Sequence, residues 1–442
     1  TGLFKGTPPY VWISNQAGNN GVLFGDLNVR AVKDKNDNII SDGRPSLGFT
    51  GNMDTYKPAE GSATRSDIAI TDPDFKYPSL WKSNIAADYK FGDGWVATVE
   101  LLYSKDINAI YHDNIGLYRT EQFVNDGGAG NARPYYNGYY SDREGNQKAA
   151  NHVVMLRNTS KGHSLYTTFQ LQKNFVDGIL KGLYLNGSYS FGQSRGVTDG
   201  TSSVATSAWK YRAALDGNAE EVGYTAGSFD GRLLLSASYT ANWSKYAATS
   251  FGLIYQRYRP FRYSYCYNGD ANGDSQFSND LMYIPANFDE VKDHLLPGDF
   301  DSQEDAWKAM NAFIEQDPYL SKHRGEYAER NGAVAPFANQ LDLSVSHDIK
   351  IYQKNGRSHT LRFSFNIANF LNLLNRNWGV VQTTVLGNQQ YQFLTIPKGQ
   401  GPSAANNYTL KYTMAKDLDE TFKDNLNDVS RWQMQFGIKY IF

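Results

Sequence analysis

Residues Arg431–Phe442 read R-W-Q-M-Q-F-G-I-K-Y-I-F, and the spacing within this stretch sets how the other segments are read. Trp432, Met434, Phe436, Ile438, Tyr440 and Phe442 are apolar or aromatic at every second position, with Gln433, Gln435, Gly437 and Lys439 between them. A period of two places one set on one face of a β-strand and the other set on the opposite face.

Aromatics near both ends and a terminal Phe match the closing strand of an outer-membrane barrel, where apolar residues face lipid, aromatic girdles mark the interfaces and polar residues point inward. A final strand of a soluble sandwich shows the same alternation, so the rest of the chain has to decide. Four further pairs of alternating segments precede it. They are 82–91 with 95–104, 163–175 with 181–193, 231–243 with 247–265, and 340–352 with 358–370. Each pair is joined by a short turn such as Phe91-Gly-Asp-Gly94 or Asn355-Gly356, which favour tight hairpins. The stretch 247–265 is expected to be one strand, with Phe261, Tyr263 and Tyr265 continuing its apolar face.

Between the hairpins lie the long polar stretches 5–81, 105–162, 194–230, 266–339 and 371–429. Short turns alternating with long loops is the layout of outer-membrane barrels, with turns periplasmic and loops extracellular. Counting strands from the end puts Phe442 at the periplasmic rim and makes Thr1–Phe4 the stub of an earlier outward strand. Nine strands and a stub do not close an even-stranded barrel, and unpaired edges in lipid cost several kcal/mol per group. The expectation is therefore that residues 1–442 are the carboxy-terminal portion of one barrel, with partner strands on a preceding segment or another polypeptide.

Composition agrees. The chain has 442 residues, 40% hydrophobic and 14% aromatic, with a mean hydropathy of -0.55. No run approaches the roughly 20 apolar residues of a membrane helix. A net charge of -2, from 43 basic and 45 acidic residues, gives no case for nucleic acid. The single cysteine, Cys266, is read as an isolated small residue. The seven histidines lack ligand spacing and no G-x-S-x-G or paired-carboxylate motif stands out, so no enzyme is expected.

Several loop motifs have two readings each. Asp270, Asn272 and Asp274 begin as a Ca²⁺ loop does, with Asp280 further on, but Ser275 stands where a Gly belongs and Leu281 where a Glu does. The other reading is a loop rich in Asx turns. Arg133, Tyr135, Tyr136, Tyr139 and Tyr140 offer an aromatic contact surface for a ligand, or pack loops together. Arg324, Glu326, Glu329 and Arg330 are expected to pair within their loop or to touch a ligand. Residues 302–316, with Ser302 as cap and Trp307, Met310, Phe313 and Ile314 on one side, predict a helix that packs on the crown or binds a partner.

Pro8–Gln16 (P-P-Y-V-W-I-S-N-Q), Asp72–Trp81 (D-P-D-F-K-Y-P-S-L-W), Tyr103–Tyr111 (Y-S-K-D-I-N-A-I-Y), Tyr267–Asp274 (Y-N-G-D-A-N-G-D), Ser278–Pro285 (S-N-D-L-M-Y-I-P), Arg324–Gly332 (R-G-E-Y-A-E-R-N-G) and Asn369–Gly379 (N-F-L-N-L-L-N-R-N-W-G) resemble the Oar-like TonB-dependent outer-membrane receptors, in the family's order. The resemblance implies the last part of a 22-stranded barrel with a plugged lumen in a Gram-negative outer membrane. It implies TonB as the energy-coupling partner through plug and amino-terminal parts that do not occur in this sequence, with a surface lipoprotein as a further candidate partner. It implies active uptake of a ligand whose identity the sequence leaves open. A structural or adhesion barrel and a passive porin are the competing functions.

Overall fold

The structure is a computed structural model that describes residues 1–6, 32–33, 39–41, 67–124, 133–139, 152–200, 202, 204–352, 358–386, 390–402, 408–414 and 420–442. The Asn355-Gly356 turn, Tyr140 and the motif at Pro8–Gln16 lie outside the described residues.

One large antiparallel sheet carries the fold. Its strands follow the chain: β1 (Gly2–Lys5), β2 (Ser79–Phe91), β3 (Trp95–Asn114), β4 (His163–Asn174), β5 (Leu183–Gly196), β6 (Arg232–Ser244), β7 (Ala247–Tyr258), β8 (Ala338–Tyr352), β9 (Ser358–Ala368) and β10 (Gln433–Ile441). Each pairs with its predecessor and its successor, so the topology is an uninterrupted meander from β1 to β10. The nine alternating segments and the amino-terminal stub read from sequence are these ten strands. Among the described residues, β1 pairs only with β2 and β10 only with β9, so both outer edges are free.

Register turns the sequence alternation into two chemically different faces. One cross-strand row runs Tyr239, Phe251, Val345, Phe365, Phe436. One residue along every strand, the opposite row runs Ser238, Gly252, Ser344, Asn366, Gln435. The first face is open: Phe169 is 48% exposed and Phe436 65%. The second is laced with side-chain hydrogen bonds between neighbouring strands. Asn84 donates to Glu100 at 2.7 Å, Gln170 to Asn186 at 2.7 Å, and Arg362 grips Asp348 with two bonds of 2.6 and 2.8 Å.

At the short-turn end aromatics gather. Tyr89 stacks on Phe91 and Phe91 on Trp95, at 5.9 and 6.1 Å between centroids. His359 stacks on Tyr440 at 5.6 Å and meets its hydroxyl at 2.7 Å.

At the other end the described parts of the long connections pack into cores of their own. Their main core joins Tyr263, Tyr265, Met282, Met310, Phe313, Leu320, Tyr391, Phe393 and Tyr408, all at most 1% exposed. Short strands lock it: Arg262–Tyr265 lies between Ala333–Val334 and Gln390–Tyr391, and Leu410–Tyr412 between Leu295–Leu296 and Leu394–Thr395. The helix α1 (Gln303–Gln316) forms as expected, with the Ser302 hydroxyl accepting from the Asp305 N–H, and buries Ala306, Met310, Phe313 and Ile314 in this core.

A smaller core around Trp209, Tyr136 and Val154 sits over β3, whose upper part pairs with Val153–Thr159. We call the two together the crown. None of the described helices is long and apolar enough to cross a membrane.

One strand is shorter than expected. The stretch 247–265 is not a single strand, because β7 stops at Tyr258 and a separate strand resumes at Arg262. Pro260 offers no N–H to continue the ladder. Arg259 and Arg262 both turn to Asp230. Beyond the break Tyr263 and Tyr265 point into the crown core instead of the open face.

Candidate functional site

Two motifs that are far apart in sequence meet in the crown. The strand Arg133–Tyr139 lies against the loop Asp270–Asp280: the Tyr136 N–H donates to the Asn272 carbonyl at 2.7 Å, and Arg133 pairs with Asp280 at 3.2 Å with both side chains almost fully buried. Gly273 makes this approach feasible, since its φ of +83° suits glycine and a Cβ there would collide with the Tyr136 carbonyl. Arg133 also donates to the Leu281 carbonyl and lies 5.6 Å from the ring centroids of both Tyr267 and Tyr327.

Of the two readings of this motif, packing between loops describes Arg133, Tyr135 and Tyr136. Arg133, Tyr135 and Tyr136 are 0%, 7% and 2% exposed and work as interior struts. Tyr136 donates its hydroxyl to Asp216 at 2.7 Å, and burial together with that carboxylate raises its pKa. Tyr139 is half-buried, with its hydroxyl 2.9 Å from His152 Nδ1. The local pattern R-P-Y-Y-N-G-Y-Y is the same for a surface and a core strand, so only the partner loop decides.

Asp270, Asn272, Asp274 and Asp280 are brought into one turn system. Asp270 accepts from the N–H groups of Asn272, Gly273 and Ser275 at 3.1, 2.6 and 2.8 Å. Asn272 accepts from the Asp274 N–H at 2.9 Å and Asp274 from that of Gln276 at 2.8 Å. Asp280 accepts from the Ala271 N–H at 2.8 Å in addition to Arg133. The carboxylates thus hold backbone donors, in the manner of Asx turns. Burial, with Asp280 and Asp270 close by, holds the Asp274 carboxyl well above the usual carboxylate range. Among the described residues, no group of three or more His, Cys, Asp or Glu side chains is placed to hold a metal ion.

The cluster at 324–330 does not pair within itself. Arg324 donates to Asn311 Oδ1 at 2.8 Å, Glu329 pairs with Arg195 of β5, and Arg330 reaches the carbonyls of Gly196 and Val197. These contacts tie the crown to the upper end of β5. Desolvation lowers Arg330 to a pKa of about 10.

Neither protein-family models nor curated proteins give a match to this chain. The reading of its function rests on the residues and their arrangement.

Asp317 anchors the aromatic core, accepting from Tyr265 Oη at 2.6 Å, Thr421 Oγ1 at 2.7 Å, and the N–H groups of Tyr319 and Leu320 at 2.9 and 2.8 Å. In the sequence Asp317 simply follows the predicted helix 302–316. Cys266 is buried and its thiol is raised by desolvation, as befits an inert interior residue. Asp106 and the serines beside it, on the polar face below the crown, carry no local sequence signal.

Proposed function

We propose that this chain forms wall and extracellular crown of a TonB-dependent outer-membrane transporter, completed by further barrel strands and a plug. The observation that carries the reading is the pair of faces on the ten-strand meander. One face exposes Ile85, Tyr89, Phe169, Tyr189, Phe436 and Ile438, and the other presents Ser, Asn, Gln and ion pairs. A soluble protein rarely leaves so large a continuous apolar patch to water. In lipid the same patch is the outer wall, and the polar face lines a lumen.

The edges of β1 and β10, unpaired among the described residues, support the same reading, because an open sheet in hydrocarbon leaves main-chain groups unpaired and calls for closing strands. The stacked rings at the short-turn end fit an interfacial girdle on the periplasmic side, and the folded crown then faces the outside. The resemblance to Oar-like receptors implies TonB coupling and uptake as the activity. TonB is the proposed partner on the periplasmic side, the lipid bilayer around the wall, and a surface lipoprotein above the crown.

Uptake by cells carrying the intact protein tests this. Accumulation of a transported ligand that stops when TonB is deleted is the expected result. Uptake that persists without TonB overturns the reading in favour of a passive pore. No uptake at all, with the crown still bound to its partner on the cell surface, turns it to an adhesion barrel.

A further inference from the structure

The strand ladder is interrupted at one place where sheet and crown meet. β3 pairs with β4 as far as Lys105 opposite His163, and with Val153–Thr159 from Ala109 onward. Ser160-Lys161-Gly162 crosses the gap, with the Gly162 carbonyl accepting from the Asp106 N–H at 2.9 Å. The interruption opens a cavity of about 210 Å³. That is room for about seven waters, and below the size of pockets for drug-like ligands.

Its lining combines the hydroxyls of serines and threonines with His163, Arg195 and one carboxylate, Asp106. Ser104, Ser164 and Ser194 stand in one cross-strand row, and Ser104 Oγ meets Ser164 Oγ at 2.5 Å. Asp106 follows Ser104 by two residues and so shares its face. The nearby cations are engaged elsewhere. Arg195 pairs with Glu329 and stacks at 4.4 Å on Tyr224, and Lys105 donates to the Ser160 carbonyl. Lys105 and His163 are the charged neighbours of the Asp106 carboxylate, and among the described residues no side chain makes a hydrogen bond to it. The group rests on Gly162, where a Cβ would collide with Asp106 Oδ2.

A half-buried carboxylate without a donor is costly, and a charged donor compensates it best. We propose that this notch is a binding subsite for a primary ammonium carried on a small polyhydroxylated group of amino-sugar size. The ammonium meets Asp106 and the hydroxyls meet the Ser104–Ser164–Ser194 row. The subsite opens on the polar face below the crown, so its place on an uptake path rests on the transporter reading, whereas the binding itself does not.

Calorimetric titration of the intact protein in detergent with glucosamine tests the proposal, with glucose and N-acetylglucosamine as neutral comparators. Saturable binding of glucosamine is expected, with both comparators at least roughly 10-fold weaker. Asp106→Asn is expected to weaken glucosamine roughly 10- to 100-fold while leaving the comparators unchanged. Gly162→Ala retains the charge but displaces the carboxylate, and should weaken glucosamine as well. Ser164→Ala, a smaller change to the fold, should cost roughly 2- to 10-fold. The proposal is overturned if glucosamine gives no saturable heat, if glucose binds equally well, or if Asp106→Asn binds glucosamine like the parent with an unchanged unfolding midpoint. Loss of TonB-dependent uptake with this binding intact would instead count against the transporter reading alone.

Discussion

Phe436 of β10 and Phe313 of α1 are the same residue type in opposite circumstances, 65% and 1% exposed. The wall leaves its apolar face open along the whole meander, and its polar face hydrogen-bonds across strands. The crown does the reverse: it collects rings around Asp317 and Arg133, and it pairs Arg133 with Asp280 in its interior. An aromatic in the wall is held by register and by whatever medium surrounds it, while one in the crown is held by packing. Mutations should therefore separate the two regions by mechanism.

The largest effect is expected at the crown's buried pair. Arg133→Met leaves the Asp280 carboxylate and the Leu281 carbonyl interior without their partner, and should destabilise the crown by about 3–5 kcal/mol in denaturant titration. If the crown is unaffected, its charges are not the struts described.

In the wall, Phe251→Arg should cost about 2–4 kcal/mol for the protein folded into lipid vesicles, and Ser344→Arg on the opposite face far less. Equal costs in vesicles would erase the distinction between the faces.

Acid should act on the crown before the wall. Burial and the neighbouring Arg212 lower His112 to a pKa of about 4 from its usual 6.5. Above pH 6.5 the group is neutral in both folded and unfolded chains. As pH falls from 6.5 towards 4 the unfolded chain takes up a proton that the folded one refuses, so stability is lost across that window, by up to about 3 kcal/mol. His112→Asn should flatten the pH dependence of crown unfolding there.

The smallest effect is Ser302→Ala, about 1 kcal/mol, from loss of the cap at the start of α1. Local hydrogen exchange at the Asp305 N–H reads it directly.

The wall was legible in the sequence because a period-two pattern is local. Leu233, Leu235 and Ala237 announce their face without reference to any other strand, and short turns fix the neighbour. α1 was legible for the same reason, with its cap and its three- and four-residue spacing contained in one stretch. The crown was not. Tyr263 and Tyr265 continue the alternation of β7 faultlessly, and only the missing N–H of Pro260 and the distant strands at 333–334 and 390–391 redirect them. Arg133 and Asp280 are separated by 147 residues. Their contact, like the notch at Asp106, depends on where loops return, which no window of sequence reports.

The interleaving of the crown's loops carries a further implication for the order of events in biogenesis. Gln392 donates to the Tyr267 carbonyl across 125 residues, and Thr421 reaches Asp317 across 104. Contacts of such separation repay their loop-closure entropy only late. The crown's centre thus waits for the last loop before β10, and until that loop arrives Tyr263, Tyr265 and Phe313 are unshielded. Limited proteolysis during refolding should find 259–335 cleavable after the wall's hairpins have become protected.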